Sequence, residues 1–165
     1  MAYHGPLFRA LNPVYARSPL SGEGAALHGG RFNLKGTPAL YASLSVMTAL
    51  REANQAGSLQ PTTLVSYTAE IERVFDTRDD AALAAHGIDA ATLADPTWRD
   101  QMRTAGEATT QAFARRLVEA GFDAMLVRSF ASGAAPDDLN LVLWRWSDKA
   151  PARLVLIDDE NRLSR

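Results

Sequence analysis

The chain predicts a single α+β domain, and three observations carry that expectation. Its 165 residues make about one domain, long enough to bury roughly 70% of the surface an unfolded chain exposes. Segments with the period-two alternation of strands are interspersed with segments whose apolar residues recur at helical spacing. No repeat, low-complexity run or linker-like stretch divides residues 1–165, so the segments belong to one mixed unit.

Composition narrows the function before any motif is read. Hydrophobic residues make up 47% and charged residues 22% of the chain, the balance of an ordinary soluble globular protein. No apolar run approaches the roughly 20 residues that span a bilayer. The sequence has no cysteine, and Met-Ala-Tyr-His-Gly-Pro at its start has neither a basic nor an apolar leader region, so a cytoplasmic location is expected. With 17 Lys+Arg against 19 Asp+Glu and a net charge of −2, the chain has no broad electrostatic attraction for nucleic acid or an anionic membrane. His4, His28 and His86 are scattered and lack cysteine companions, so no metal site is expected. Neither Gly-x-Gly-x-x-Gly nor the P-loop pattern occurs, which argues against Rossmann and P-loop modes of nucleotide binding.

In chain order, Pro6 to Ala10 suits a short strand, broken by Asn12-Pro13. Ser18 to Gly30 is small and glycine-rich, which predicts an irregular loop able to border a cleft. Ala39 to Ala42 reads as a strand entering a helix capped by Ser43 or Ser45 and stopped by Gly57. Leu44, Val46, Met47, Leu50 and Ala53 supply that helix with an apolar stripe; Glu52 follows Thr48 by four residues and Ala49 by three, beside the stripe at the edge of the core.

Thr62 to Ile71 alternates as a strand, and the charged cluster from Glu70 to Asp80 predicts a solvated edge. Ala81 to His86 is a short helix, and Asp95-Pro96 opens another with Asp as cap and Pro at its first position. Glu107 to Ala120 is the clearest helix, with Ala112, Phe113, Leu117 and Ala120 toward the core and Gly121 closing it. Three strands finish the domain, at Ala124 to Arg128, Leu139 to Arg145 and Arg153 to Ile157. The exposed connection Ser129 to Asp138 separates the first two. Trp98, Trp144 and Trp146 are core or rim aromatics, and the polar tail 158–165 is expected to be partly disordered.

The stretch from Gly29 to Gln55 organises the rest, because it binds an arginine, a tyrosine and a glutamate into one loop–strand–helix unit. Gly29-Gly30-Arg31-Phe32-Asn33, Gly36-Thr37-Pro38, Leu40-Tyr41-Ala42-Ser43 and Ala49-Leu50-Arg51-Glu52 follow in order. Val127-Arg128-Ser129 and Asn140-Leu141-Val142-Leu143 come far downstream. This ordered set resembles the RES-domain family, from about Leu7 to Trp144; Arg128 stands where that family often has a proline.

The resemblance implies an ADP-ribosyltransferase-like fold, a mixed β-sheet core flanked by helices. It also implies a bacterial toxin that consumes NAD+ and is silenced by an Xre-like helix-turn-helix antitoxin. The sites it implies are Arg31, Tyr41, Glu52 and Ser129, with Asn140 as a further addition. These residue types suit the chemistry. Nicotinamide leaves a cationic ring as a neutral group, so no general acid is needed, and one carboxylate such as Glu52 can stabilise an oxocarbenium-like ribose. Arg31 offers a planar fork to pyrophosphate or ribose oxygens. Tyr41 offers a ring for the nicotinamide to stack on, Ser129 a hydroxyl to the ligand, and Asn140 a group to orient that loop. The ADP-ribosyl acceptor is open between a protein side chain (ADP-ribosyltransferase), water (NAD glycohydrolase) and phosphate. A non-catalytic nucleotide- or partner-binding module is the alternative in a different class.

Overall fold

The computed structural model describes residues 1–55 and 58–164. Its elements are β1 (Tyr3–Leu11), α1 (Glu23–His28), β2 (Leu40–Ser43), α2 (Val46–Ala53), β3 (Thr63–Ile71), β4 (Val74–Asp76) and α3 (Asp80–Ala85). They continue through α4 (Ala90–Ala94), α5 (Trp98–Ala105), α6 (Thr109–Glu119), β5 (Ala124–Arg128), β6 (Leu139–Leu143) and β7 (Ala152–Leu156). The strands form one sheet in the order β4-β5-β6-β2-β1-β3-β7. β4 and β5 run parallel, and the other neighbours are antiparallel. The α+β class expected from the sequence is the one observed.

Period-two alternation divides the interior in two. Val74, Ala124, Leu126, Leu141 and Leu143 join residues of β1, β2, β3 and β7 in one cluster. Phe75, Met125, Val127 and Val142 point the other way and meet Phe113, Ala114 and Leu117 of α6. Tyr41 packs on this second, helix-covered side.

Several expectations are corrected. Within the loop expected at 18–30, Glu23–His28 is helical. Neighbours hold this short helix, through Asn33 Nδ2 donating to the Ala25 carbonyl at 2.8 Å and Gly36 N–H to that of Ala26 at 2.7 Å. The charged segment 70–80 lies at the sheet edge as expected, with Glu72, Arg73, Arg78, Asp79 and Asp80 exposed, but it also contains the edge strand β4, whose Val74 and Phe75 are buried. Its charges are satisfied laterally, Arg73 pairing with Asp123 and Glu70 with Arg153.

In α2, Val46 and Met47 are exposed while Thr48 and Ala49 face the core. Ser45 is the cap, its hydroxyl accepting from Thr48 N–H at 3.1 Å, and the expected stop at Gly57 lies outside the described residues. α5 begins at Trp98 with Thr97 as cap residue, because the Asp95 carboxylate is turned back onto Thr97. The buried face of α6 is Thr110, Gln111, Phe113, Ala114 and Leu117, and Ala120 is exposed. Gly121, at φ +94°, closes α6 as expected. The tail ends in a 3-10 turn at Arg162–Ser164, where Asp158 accepts from Arg162 and Leu163 N–H groups.

Candidate active site

Arg31 sits at the tip of a two-residue turn. Gly30 and Asn33 exchange backbone hydrogen bonds of 2.9 and 3.3 Å across it, leaving Arg31 and Phe32 outermost. Three groups from elsewhere lock the turn. The Tyr41 hydroxyl donates to Asn33 Oδ1 at 2.7 Å and accepts from Phe32 N–H at 3.1 Å. From α6, buried Gln111 donates through Nε2 to the Gly30 and Asn33 carbonyls at 2.9 and 3.1 Å. Trp144 Nε1 donates to the Phe32 carbonyl at 2.9 Å. Glycine is required at position 30, where a Cβ would lie 2.5 Å from both Asn33 Oδ1 and the Tyr41 oxygen.

The Arg31 side chain is preorganised in turn. Nη1 donates to the Leu93 and Asp95 carbonyls at 3.0 and 2.8 Å. Leu93 lies in the last turn of α4, where carbonyls lack intrahelical partners. The guanidinium carbon lies 4.6 Å from the Phe130 ring centre and 5.9 Å from that of Trp98. Burial, then the charge of Arg99, lowers the Arg31 pKa, while Glu52 and Asp95 act to raise it. Both bonds use Nη1, so among the described residues the Nε–Nη2 edge keeps the fork that matches two anionic oxygens.

Glu52 faces the same region from α2. Its Oε1 accepts from the Ser129 hydroxyl at 2.5 Å and from Asn140 Nδ2 at 2.6 Å, and Oε2 accepts from Gln55 at 2.5 Å. Asn140 is held by its register opposite Ser43 on β2, whose hydroxyl donates to Asn140 Oδ1 at 2.7 Å. Tyr41 and Ser43 share one face of β2 two residues apart, about 7 Å along the strand. The structure thus brings Glu52, Ser129 and Asn140 into direct contact and places Arg31 within electrostatic reach of Glu52. Tyr41 acts differently: its hydroxyl is spent on the Arg31 turn, and burial raises its pKa, so it is neutral.

Sequence reasoning missed two supporting residues. Gln111 falls three residues before buried Ala114, so helical spacing places it on the core face; a polar residue there signals a buried hydrogen-bonding role. Asp138 ties the Ser129 loop to α2, accepting from Thr48 Oγ1 at 2.8 Å, Arg51 Nη1 at 2.5 Å and Ala135 N–H at 2.7 Å. Its carbonyl accepts from Ser129 N–H at 2.8 Å. Arg51, one residue before Glu52, is thereby a clasp. Among the described residues no cluster of His, Cys, Asp or Glu could hold a metal ion, and no helix is long and apolar enough to cross a membrane.

A cavity of about 1050 Å³ shares Gly30 and Tyr41 with this site but is not lined by Arg31, Glu52, Ser129 or Asn140. The convergent polar groups lie instead in the hydrogen-bonded carboxylate cluster.

The seven-stranded mixed sheet thus presents a tethered carboxylate with a preorganised arginine in electrostatic reach. Residues 6–165 match the RES domain model, and the chain belongs to the RES domain family. Among solved structures it is similar to a chain in the crystal structure of the M. tuberculosis MbcT-MbcA toxin-antitoxin complex, with TM-score 0.63 and 21% identity over 96% of this chain and 84% of that one. No curated protein matches the sequence.

Proposed function

We propose that this chain is a toxin that cleaves the nicotinamide–ribose bond of NAD+ and transfers ADP-ribose to a protein side chain or to water. The observation that carries this reading is the Glu52 carboxylate, held by Ser129 and Asn140 with Arg31 in electrostatic reach. NAD+ is the substrate and no metal takes part. In the reaction, the bond from ribose C1′ to the nicotinamide nitrogen breaks and its electron pair leaves on neutral nicotinamide. The carboxylate lies beside the positive charge left on the ribose and accepts from its hydroxyl; this contact strengthens as the charge develops. The acceptor oxygen or nitrogen then bonds to C1′ and loses its proton.

Arg31 binds pyrophosphate or ribose oxygens through its free edge. Its carbonyl contacts and aromatic stacking fix the fork beforehand, so little is lost in ordering it. The Tyr41 ring supports the nicotinamide, while its hydroxyl serves the fold. A protein that consumes NAD+ in the cytoplasm has to be silenced there, and a cognate Xre-like helix-turn-helix antitoxin is the partner this reading supplies. The toxin–antitoxin complex containing the similar fold supports an antitoxin partner.

The test is incubation of the protein, with and without cell extract, with NAD+ labelled in its adenylate half. Label on protein assigns a transferase and free labelled ADP-ribose a glycohydrolase. Both products should vanish with Glu52→Gln. Intact NAD+ throughout would leave a binding module.

A further inference from the structure

Both hydrogen bonds that hold the Arg31 side chain pass through one nitrogen, Nη1, to the Leu93 and Asp95 carbonyls. A planar group tethered at one nitrogen can still pivot about it, so these bonds fix where the guanidinium sits but not which way its opposite edge faces. A contact against its face removes the pivot, and Phe130 supplies one. Arg31 Cζ lies over the Phe130 ring at 4.6 Å from its centre, closer than the 5.9 Å to the Trp98 ring. A hydrocarbon ring offers no oxygen to compete for Nε–H and Nη2–H, so the edge is oriented without being occupied. The Phe130 ring also lies 6.4 Å, centre to centre, from that of Phe32, so it abuts both outermost residues of the turn.

Phe130 is itself held from both sides. Ser129 donates its backbone N–H to the Asp138 carbonyl at 2.8 Å and its hydroxyl to Glu52 Oε1 at 2.5 Å, and its Oγ accepts from Ala131 N–H at 3.3 Å. Ser129 and Ala131 are buried, and the half-buried Phe130 between them packs on the helix-covered cluster. Consecutive residues therefore touch the carboxylate and the arginine. We infer that Phe130 is a positioning residue: it sets the plane of the Arg31 guanidinium and, through Ser129, couples that plane to the Glu52 carboxylate. The inference rests on the NAD+ reading for the ligand the two groups serve, whereas the geometry stands without it.

The experiment compares Phe130→Leu, which keeps apolar bulk and removes the ring, with Phe130→Tyr, which keeps the ring. The first readout needs no ligand: nitrogen-15 relaxation of the Arg31 Nε–H group, assigned by its absence from Arg31→Lys. That group should be ordered in the parent and in Phe130→Tyr, and in Phe130→Leu its order parameter should fall below about 0.6. The second readout is NAD+ kinetics. An arginine that binds ground and transition states alike acts on KM, so Phe130→Leu should raise KM about three- to tenfold with kcat within about twofold of the parent, and Phe130→Tyr should recover the parental KM. In the Arg31→Lys background, which has no fork to orient, Phe130→Leu should leave KM within about twofold. Undiminished order in Phe130→Leu overturns the proposal, and so does equal loss of order in both variants, the mark of packing alone. An equal rise in KM in the Arg31→Lys background also overturns it. If the parent cleaves no NAD+, the relaxation result decides alone: order lost only in Phe130→Leu leaves the positioning role standing while the NAD+ reading fails.

Discussion

Gln111→Met removes the polar lock on the Arg31 turn while keeping side-chain length and apolar fill. Four bonds disappear, one of them the weak contact from Nε2 to Met102 Sδ at 3.1 Å. Ala108 N–H, fully buried, loses its acceptor, Gln111 Oε1 at 2.9 Å, and an orphaned buried donor costs about 1–3 kcal/mol. The Gly30 and Asn33 carbonyls each keep the bond they receive across the turn, so losing Gln111 costs each only the net value of a second bond, about 0.5–1 kcal/mol. Together these give about 3 kcal/mol. For a chain of 165 residues, at about 2–4 °C per kcal/mol, the midpoint of thermal unfolding should fall by about 6–12 °C. Calorimetry and urea unfolding measure the loss, and KM for NAD+ should rise as Arg31 loosens. A midpoint within about 2 °C of the parent, with KM unchanged, would refute the claim that α6 holds the turn.

Three further predictions address the same assembly. Gly30→Ala drives a methyl onto Asn33 Oδ1 and the Tyr41 oxygen; it should destabilise by about 2 kcal/mol or more and abolish NAD+ turnover, seen in parallel unfolding and kinetic measurements. Tyr41→Phe keeps the ring but orphans Phe32 N–H and Asn33 Oδ1, so stability should drop by about 1–3 kcal/mol and KM for NAD+ should rise with it as the Arg31 turn loosens; a large KM increase without loss of stability would move the hydroxyl from fold to ligand. Asp138 has its pKa lowered by the Ala135 N–H, then by the Thr48 hydroxyl and Arg51. Because the folded value lies below the unfolded value of about 3.9, this stabilisation is present above about pH 4 and is lost as pH falls through the folded value. Asp138→Asn should flatten the acid limb of the stability profile, and an unaltered limb would contradict the clasp.

Much of the fold was legible because strand alternation and helix spacing are local signals. The strands around Leu7, Val65, Met125 and Val142 carry them plainly. Where tertiary contacts decide, the pattern failed. Glu23–His28 is too short to stand alone and exists because Asn33 and Gly36 bond its carbonyls. β4 is three residues long and hidden among charges whose partners, Asp123 and Arg153, lie far along the chain. In α2 two apolar residues, Val46 and Met47, point outward, while the smaller Thr48 and Ala49 are the ones buried.

For the site, the ordered motifs singled out Arg31, Glu52, Ser129 and Asn140, and folding brings Ser129 and Asn140 onto one carboxylate oxygen of Glu52. Sequence could not divide Tyr41 into a ring and a hydroxyl with separate tasks. The roles of Gln111 and Asp138 depend on bonds to residues 81 and 90 positions away, which no local pattern encodes.

The most direct measurement is the rate of nicotinamide release from saturating NAD+ by the parent protein and by Glu52→Gln. The variant keeps a side-chain oxygen for Ser129 and Asn140 and loses the charge, so its fold and NAD+ affinity should remain close to the parent's. The account predicts steady release by the parent and a fall of about 100-fold or more in the variant's kcat, the scale on which a single electrostatic stabiliser acts. Equal rates from the two proteins would contradict it.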